Sequence, residues 1–244
     1  NFKKFDFQRG YQAYRQPGSS IKPLIVFAPY LAVTNATISS TINAAAFCKN
    51  GYCPKNYGGA NFRNVRIDTA FKHSINTAAV RMLDTITVEK GFSYLNKFQF
   101  AKLAADDSRL PAALGGLTYG MSPLELTMAY TTFANEGTFQ KARGIEKVVN
   151  KDGDILYQWQ NDSLKVWDDA VNSKMRSLLN SVVVEGTGRK AYIPSFYIGG
   201  KTGTTNDFYD LWFIGLNDNY TTGVWVGEDQ PKSLVTINSK SPHL

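Results

Sequence analysis

The sequence predicts an α+β fold, an antiparallel sheet flanked by helices beside a mostly helical lobe. Three observations carry that expectation. Apolar residues recur at three- and four-residue spacing through the middle of the chain. Runs rich in β-branched and aromatic residues dominate its end, and the two kinds of text are segregated rather than alternating. The 244 residues are 43% hydrophobic and 19% charged, a globular balance that excludes a disordered tail, a collagen or a disulfide-dense miniprotein. A chain of this length buries roughly 70–75% of its unfolded surface and needs no metal or bridge to fold. One domain with two lobes is expected, helical over roughly 31–140 and sheet-bearing over roughly 1–30 and 165–244.

The elements follow in order. Turn chemistry at Pro17-Gly18 runs into an apolar stretch from Ile21, which predicts a loop entering a helix with Ser19 or Ser20 at the N-cap and Pro23 in the first turn. The run from Pro23 to Val33 is too short to span a bilayer and reads as a buried helix. Residues 34–64 lack periodicity and read as irregular surface chain. From Asn64 to Ile86 the spacing is helical, and a second helix is expected over Ser122 to Asn135, opened by Ser-Pro and closed near Gly137. GIEKVVNKDGDILYQW predicts two short strands around Lys151-Asp152-Gly153, and residues 168–184 a capped amphipathic helix. Three β-rich runs close the chain, FYIGGKTGTT, YDLWFIGLN and YTTGVWVG, the last two joined at Asp218-Asn219 as antiparallel neighbours.

The net charge of +7 decides little. The basic residues are scattered, with FKKF at residues 2–5 the nearest thing to a cluster, and no nucleic-acid-binding signature accompanies them. No nucleic-acid partner is expected. His73 and His243 stand far apart in sequence, which offers no His-rich metal cluster, and neither a metal nor a cofactor is expected. Cys48 and Cys53, spaced C-x4-C, fit a short disulfide loop outside the cytosol and two ordinary thiols equally well. The chain opens at Asn1 without a targeting pattern, so any targeting or membrane-anchoring segment is expected outside this sequence.

Three segments carry chemistry. In Ser19-Ser20-Ile21-Lys22, positions i and i+3 share a helix face, which brings the Ser19 hydroxyl and the Lys22 amine within reach. A serine hydroxyl needs a base to become a nucleophile, and an ammonium cannot be that base. Lys22 must therefore lose its proton, and burial pushes in that direction. Ser74-Ile75-Asn76 sets two polar side chains one residue apart, where Ser74 can relay a proton and Asn76 can hold a substrate amide. Gly199 to Thr205 reads GGKTGTT within β-type text. Its glycines at 200 and 203 let another backbone approach, so an extended peptide can pair along it. Lys201 and the hydroxyls of Thr202 and Thr204 then meet a carboxylate, and the amides of Thr204 and Ser19 suit an oxyanion. A phosphate loop would need glycine where Ser195 stands and a helix after Lys201-Thr202, so the nucleotide reading is weak.

Taken together and in this order, the three segments resemble the active-site set of penicillin-recognising serine enzymes, S-x-x-K, an S-D-N-type motif and K-T-G. The surrounding text, RQPGSSIKP, CPKNYGG, RIDTAFKHSINTAAVRM, ALGGLTYGMSPLELTMAYTTFANEG, VVEGTGRKA and GGKTGTTNDFYDLWFIGL, is similar to the transpeptidase domain of class A, bifunctional penicillin-binding proteins over most of the chain. The resemblance implies a penicillin-binding protein/β-lactamase-like fold and a D,D-transpeptidase of bacterial peptidoglycan synthesis at the extracytoplasmic face of the membrane. Its partners would be stem peptides, as D-Ala-D-Ala donors and amine acceptors, and β-lactam antibiotics. Carried over position by position, Ser19 would be the nucleophile, Lys22 the base and Ser74 the proton relay. Asn76, Lys201, Thr202, Gly203 and Thr204 would bind substrate. The family's first sheet strands, its C-terminal helix, its glycosyltransferase domain and its membrane anchor would lie outside this sequence. A serine β-lactamase and a β-lactam sensor domain share the fold and remain alternatives.

Overall fold

The computed structural model describes residues 6–235. The FKKF cluster and His243 lie outside them. Helix α1 spans Arg9–Gln12. A 3₁₀ turn over Gly18–Ile21 runs into a π-helical turn over Pro23–Phe27 and then helix α2, Ala28–Thr34. All of this rod from Pro17 to Leu31 is buried except Ser19 and Tyr30, which are half-buried, as a helix apolar all round must be. Its widened turn has a local cause. Pro29 has no N–H to donate and its ring would press on the carbonyl of Ile25, and the Ala28 amide bonds back five residues to Pro23. The expected serine N-cap is absent. Pro17 occupies that position, and the Ser20 hydroxyl donates to the Pro17 carbonyl at 2.6 Å.

Strand β1 (Thr41–Asn43) pairs antiparallel with β2 (Asn64–Arg66), so the first residues of the helical-looking run at 64 are strand. Helices α3 (Ile67–Lys72), α4 (Asn76–Ile86) and α5 (Val88–Leu95) follow, broken at His73-Ser74-Ile75. Helix α6 (Pro123–Ala134) starts as expected. The Ser122 hydroxyl accepts from the Glu125 amide at 3.3 Å, and the Glu125 carboxylate accepts from the Ser122 amide at 2.9 Å. The two-residue strands β3 (Thr138–Phe139) and β6 (Leu164–Lys165) pair around an exposed hairpin of β4 (Lys147–Val149) and β5 (Ile155–Gln158). Helix α7 (Asp169–Glu185) is capped by Asp168, whose carboxylate accepts from the Val171 amide at 2.7 Å. It buries Val171, Met175, Leu178, Leu179, Val182 and Val183 along one face.

The sheet that positions the site is antiparallel, β7 (Gly199–Thr204), β8 (Asp210–Leu216) and β9 (Thr221–Gly227), in that order. Strand β7 packs on α7, where a Cβ on Gly199 would stand 3.0 Å from the Leu179 side chain. One hydrophobic cluster joins the buried rod, α4, α6, α7 and the sheet residues Trp212 and Ile214.

Candidate active site

Glycines decide how the three motif segments meet. Gly18 has φ +53°, and a Cβ there would lie 2.6 Å from the Thr204 carbonyl. One on Gly203 would lie 2.5 Å from the Pro17 carbonyl, and one on Gly115 (φ +83°) 2.5 Å from the Gly18 amide nitrogen. The serine-bearing turn is thus wedged between strand β7 and the Gly115 loop at distances no side chain permits. Behind it, Asp107 is buried and accepts from the amide and hydroxyl of Thr118, both at 2.7 Å, which fixes that loop. Ahead of it, the Arg15 guanidinium donates to Asp210 at 2.7 Å, the Trp212 indole donates to the Gln16 carbonyl at 3.0 Å, and Arg15 forms an antiparallel bridge with Met121.

Lys22 and Lys201 point into the same interior and are both fully buried. The Lys22 amine contacts the Ser74 carbonyl and the Asn76 Oδ1, each at 2.7 Å, and the Ser74 hydroxyl at 3.1 Å. Lys201 donates to the same hydroxyl at 2.9 Å and to the Thr202 carbonyl at 3.0 Å. Ser74 Oγ therefore sits between two amines. It is held there by a backbone at φ +55°, in the left-handed break between α3 and α4. Burial drives the Lys22 pKa well below the usual lysine range, helped by the neighbouring charge of Lys201. Burial alone lowers Lys201 to about 7.

The geometry assigns the protons. Two carbonyl-type oxygens can only accept, so both take N–H bonds from Lys22, and the remaining contact, to the Ser74 hydroxyl, is the one through which a proton can pass in either direction. A proton arriving there can pass to Ser74 Oγ, and Lys201 donates to that oxygen from the other side. The hydrogen bonds of Lys22 run to Ser74 and Asn76. Ser19 is half-buried on the same turn, free of these bonds.

The structure brings Ser19, Lys22, Ser74, Asn76 and the strand Lys201 to Thr204 to one corner. It gives two of them unforeseen partners. The Asn76 carboxamide is occupied at both ends, by Lys22 and by the Lys55 carbonyl at 2.8 Å. The Thr202 hydroxyl is 2.6 Å from that of Thr187, whose amide donates to the Lys72 carbonyl at 3.2 Å. Thr204 is exposed at the strand end. Thr187, Asn56 and Gly115 are participants that spacing could not single out. A cavity of about 680 Å³ along α7, lined by Asp169, Arg176 and Tyr197 among others, lies apart from this corner. Cys48 and Cys53 are disulfide-bonded.

Comparison with known proteins decides the family. The profile of the penicillin binding protein transpeptidase domain matches residues 1–242. This chain belongs to that family. It is 52% identical to penicillin-binding protein 4 of Bacillus subtilis over 244 residues, all of this chain and 39% of the relative. To penicillin-binding protein 1A of Aquifex aeolicus it is 39% identical over 237 residues, 93% of this chain and 31% of the relative. The crystal structure of penicillin-binding protein 1A from Haemophilus influenzae superposes with a TM-score of 0.79 at 26% identity, covering 92% of this chain and 40% of that one. The chain thus spans roughly a third to two fifths of the length of these relatives. Its α+β architecture is that of their transpeptidase domains.

Proposed function

We propose that this penicillin-binding transpeptidase domain cross-links peptidoglycan stem peptides through an acyl-enzyme on Ser19. The observation that carries the reading is Ser74 Oγ suspended between two buried amines, 3.1 Å from Lys22 and 2.9 Å from Lys201, beside the half-buried serine turn. Ser19 Oγ adds to the carbonyl of a D-Ala-D-Ala unit while Lys22 takes its proton. The Thr204 and Ser19 amides receive the oxyanion. Collapse of the tetrahedral adduct breaks the amide bond, and the proton passes through Ser74 to the departing D-Ala amine. An acceptor amine then attacks the Ser19 ester, restoring the hydroxyl and forming the cross-link. A donor peptide laid along β7 directs its carboxylate toward Lys201, Thr202 and Thr204, while Gly203 lets the serine turn pack against the strand that holds it. A β-lactam acylates Ser19 by the same first step, its ring opening in place of amine loss. The helical lobe of roughly 31–140 and the sheet-bearing lobe, which within the described residues takes in roughly 6–30 and 165–235, form the two walls of this cleft, at the extracytoplasmic face of the bacterial membrane. Among the described residues no helix is long and apolar enough to cross a membrane.

Intact-mass analysis after penicillin treatment tests the reading. One long-lived penicilloyl adduct on the wild-type protein and none on Ser19→Ala is expected. Full labelling of Ser19→Ala would overturn the assignment, and rapid turnover of the wild-type adduct would favour a β-lactamase.

A further inference from the structure

Helix α4 begins at Asn76 with its first amides pointing out of the helix, and Ile75 at its N-cap has no side-chain oxygen to meet them. The missing cap comes from twenty residues upstream. Asn56 Oδ1 accepts from the Asn76 amide at 2.9 Å and from the Thr77 amide at 3.1 Å. Its Nδ2 donates to the Ala60 carbonyl at 3.0 Å and to the Thr77 hydroxyl at 3.1 Å. One residue earlier, the Lys55 carbonyl accepts from Asn76 Nδ2 at 2.8 Å. This pins the carboxamide so that its oxygen faces Lys22 at 2.7 Å.

The segment is itself tied down. The Cys48–Cys53 disulfide and a reciprocal pair of backbone bonds between Lys49 and Tyr52, 2.9 Å each, close the loop just before it. Lys49 pairs with Asp84 at the far end of α4 at 2.5 Å. The Arg81 guanidinium lies 4.0 Å over the Phe47 ring, so the strap follows α4 along its length.

We propose that Asn56 is a positioning residue for acylation, a remote N-cap that sets the backbone and carboxamide of Asn76 and through them aims the Lys22 amine. The inference rests on the functional reading above. Without the cap, Asn76 loses its fixed orientation and Lys22 one of its two carbonyl-type acceptors. Water then enters a corner where the charged group facing Lys22 is Lys201 from β7. Relief of desolvation raises the Lys22 pKa, and misplacement of the base slows attack.

The test compares wild type, Asn56→Ala and Asn56→Asp in two readouts. The first is the rate of Ser19 acylation by a fluorescent penicillin against pH, and the second is the titration of Lys22 followed by NMR of ¹³Cε-labelled lysine. Asn56→Ala should acylate about tenfold to a hundredfold more slowly. Its acid limb and its Lys22 titration should both move to higher pH. Asn56→Asp, which keeps the acceptor oxygen, should lie nearer wild type in rate. An unchanged Lys22 titration in Asn56→Ala, or a slower rate with an unmoved acid limb and no rescue by Asn56→Asp, would overturn the proposal. Failure of the wild type itself to label at Ser19 would instead count against the functional reading, and the titration would still report on Asn56.

Discussion

Two buried cationic regions flank the Ser19 turn, and they are built on opposite principles. Arg15, four residues ahead, keeps only 12% of its side chain exposed and faces the Asp210 carboxylate, itself 7% exposed. Asp210 is further satisfied by the Trp225 indole at 3.0 Å and the Thr205 hydroxyl at 3.2 Å, and the Arg15 guanidinium lies 5.5 Å over the Trp225 ring. That cation is paired with a carboxylate. Lys22 and Lys201 are buried at least as deeply, yet their hydrogen-bond partners are neutral oxygens. With no anion to offset desolvation, the inexpensive response is loss of a proton. Lys22 and Lys201 are buried more deeply than Arg15 and lack a carboxylate partner, and their amines can release a proton where a guanidinium cannot, so one region is a structural clamp and the other can supply a base.

The largest effect that probes this contrast is on rate. Lys22→Met should slow penicillin acylation by about 10²–10⁴, the span of a lost general base, read by stopped-flow labelling. An unchanged rate would remove Lys22 from the mechanism. Next is stability at the clamp. Arg15→Met strands the Asp210 carboxylate and should cost about 3–5 kcal/mol in denaturant unfolding, with much of it recovered in Arg15→Met/Asp210→Leu. A third prediction concerns pH. Lys201 has a folded pKa of about 7 against an ordinary value of about 10.4. The unfolded chain therefore binds more protons across that window, and stability should rise with pH through it and fall as pH drops toward 7. Above about pH 10 the slope should reverse. Burial raises Tyr130, and raises Tyr197 to about 12, so the stability these tyrosines contribute is lost there. Lys201→Met should flatten the rise, and an equally steep rise in that variant would contradict the assignment. The smallest effect on stability is at the relay. Ser74→Gly relieves a left-handed serine and should change stability by no more than about 1 kcal/mol, while acylation collapses.

Much of the site was legible because its chemistry is written in short local patterns. S-x-x-K placed a serine and a lysine on one turn, and the strand glycines, read as room for an extended peptide, turn out to face the chain itself, Gly203 against the Pro17 carbonyl and Gly200 against the Phe213 ring. The break at His73 to Ile75 was not read, because the apolar spacing runs on through it while the left-handed Ser74 interrupts the backbone. What spacing could not reveal is which oxygen a buried amine chooses. The choice of Ser74 and Asn76 depends on three elements meeting. The remote cap by Asn56 and the pairing of Thr187 with Thr202 are likewise tertiary facts, invisible to any window of sequence. The widened turn after Lys22 was missed for another reason. Pro23 reads correctly as a helix start, but the constraint from Pro29 acts backwards along the rod. Strand β2 at Asn64–Arg66 was read as helix because three residues carry too little periodicity to outweigh the helix that follows.

Titration of ¹³Cε-labelled lysine in the unmodified protein, with Lys22→Met and Lys201→Met to assign signals, addresses the contrast most directly. Two resonances should titrate below the cohort of surface lysines, Lys201 at about 7 and Lys22 also displaced downward. All lysines titrating together near their ordinary value of about 10.4 would mean that these two amines stay charged, and that burial without an anion does not make the base.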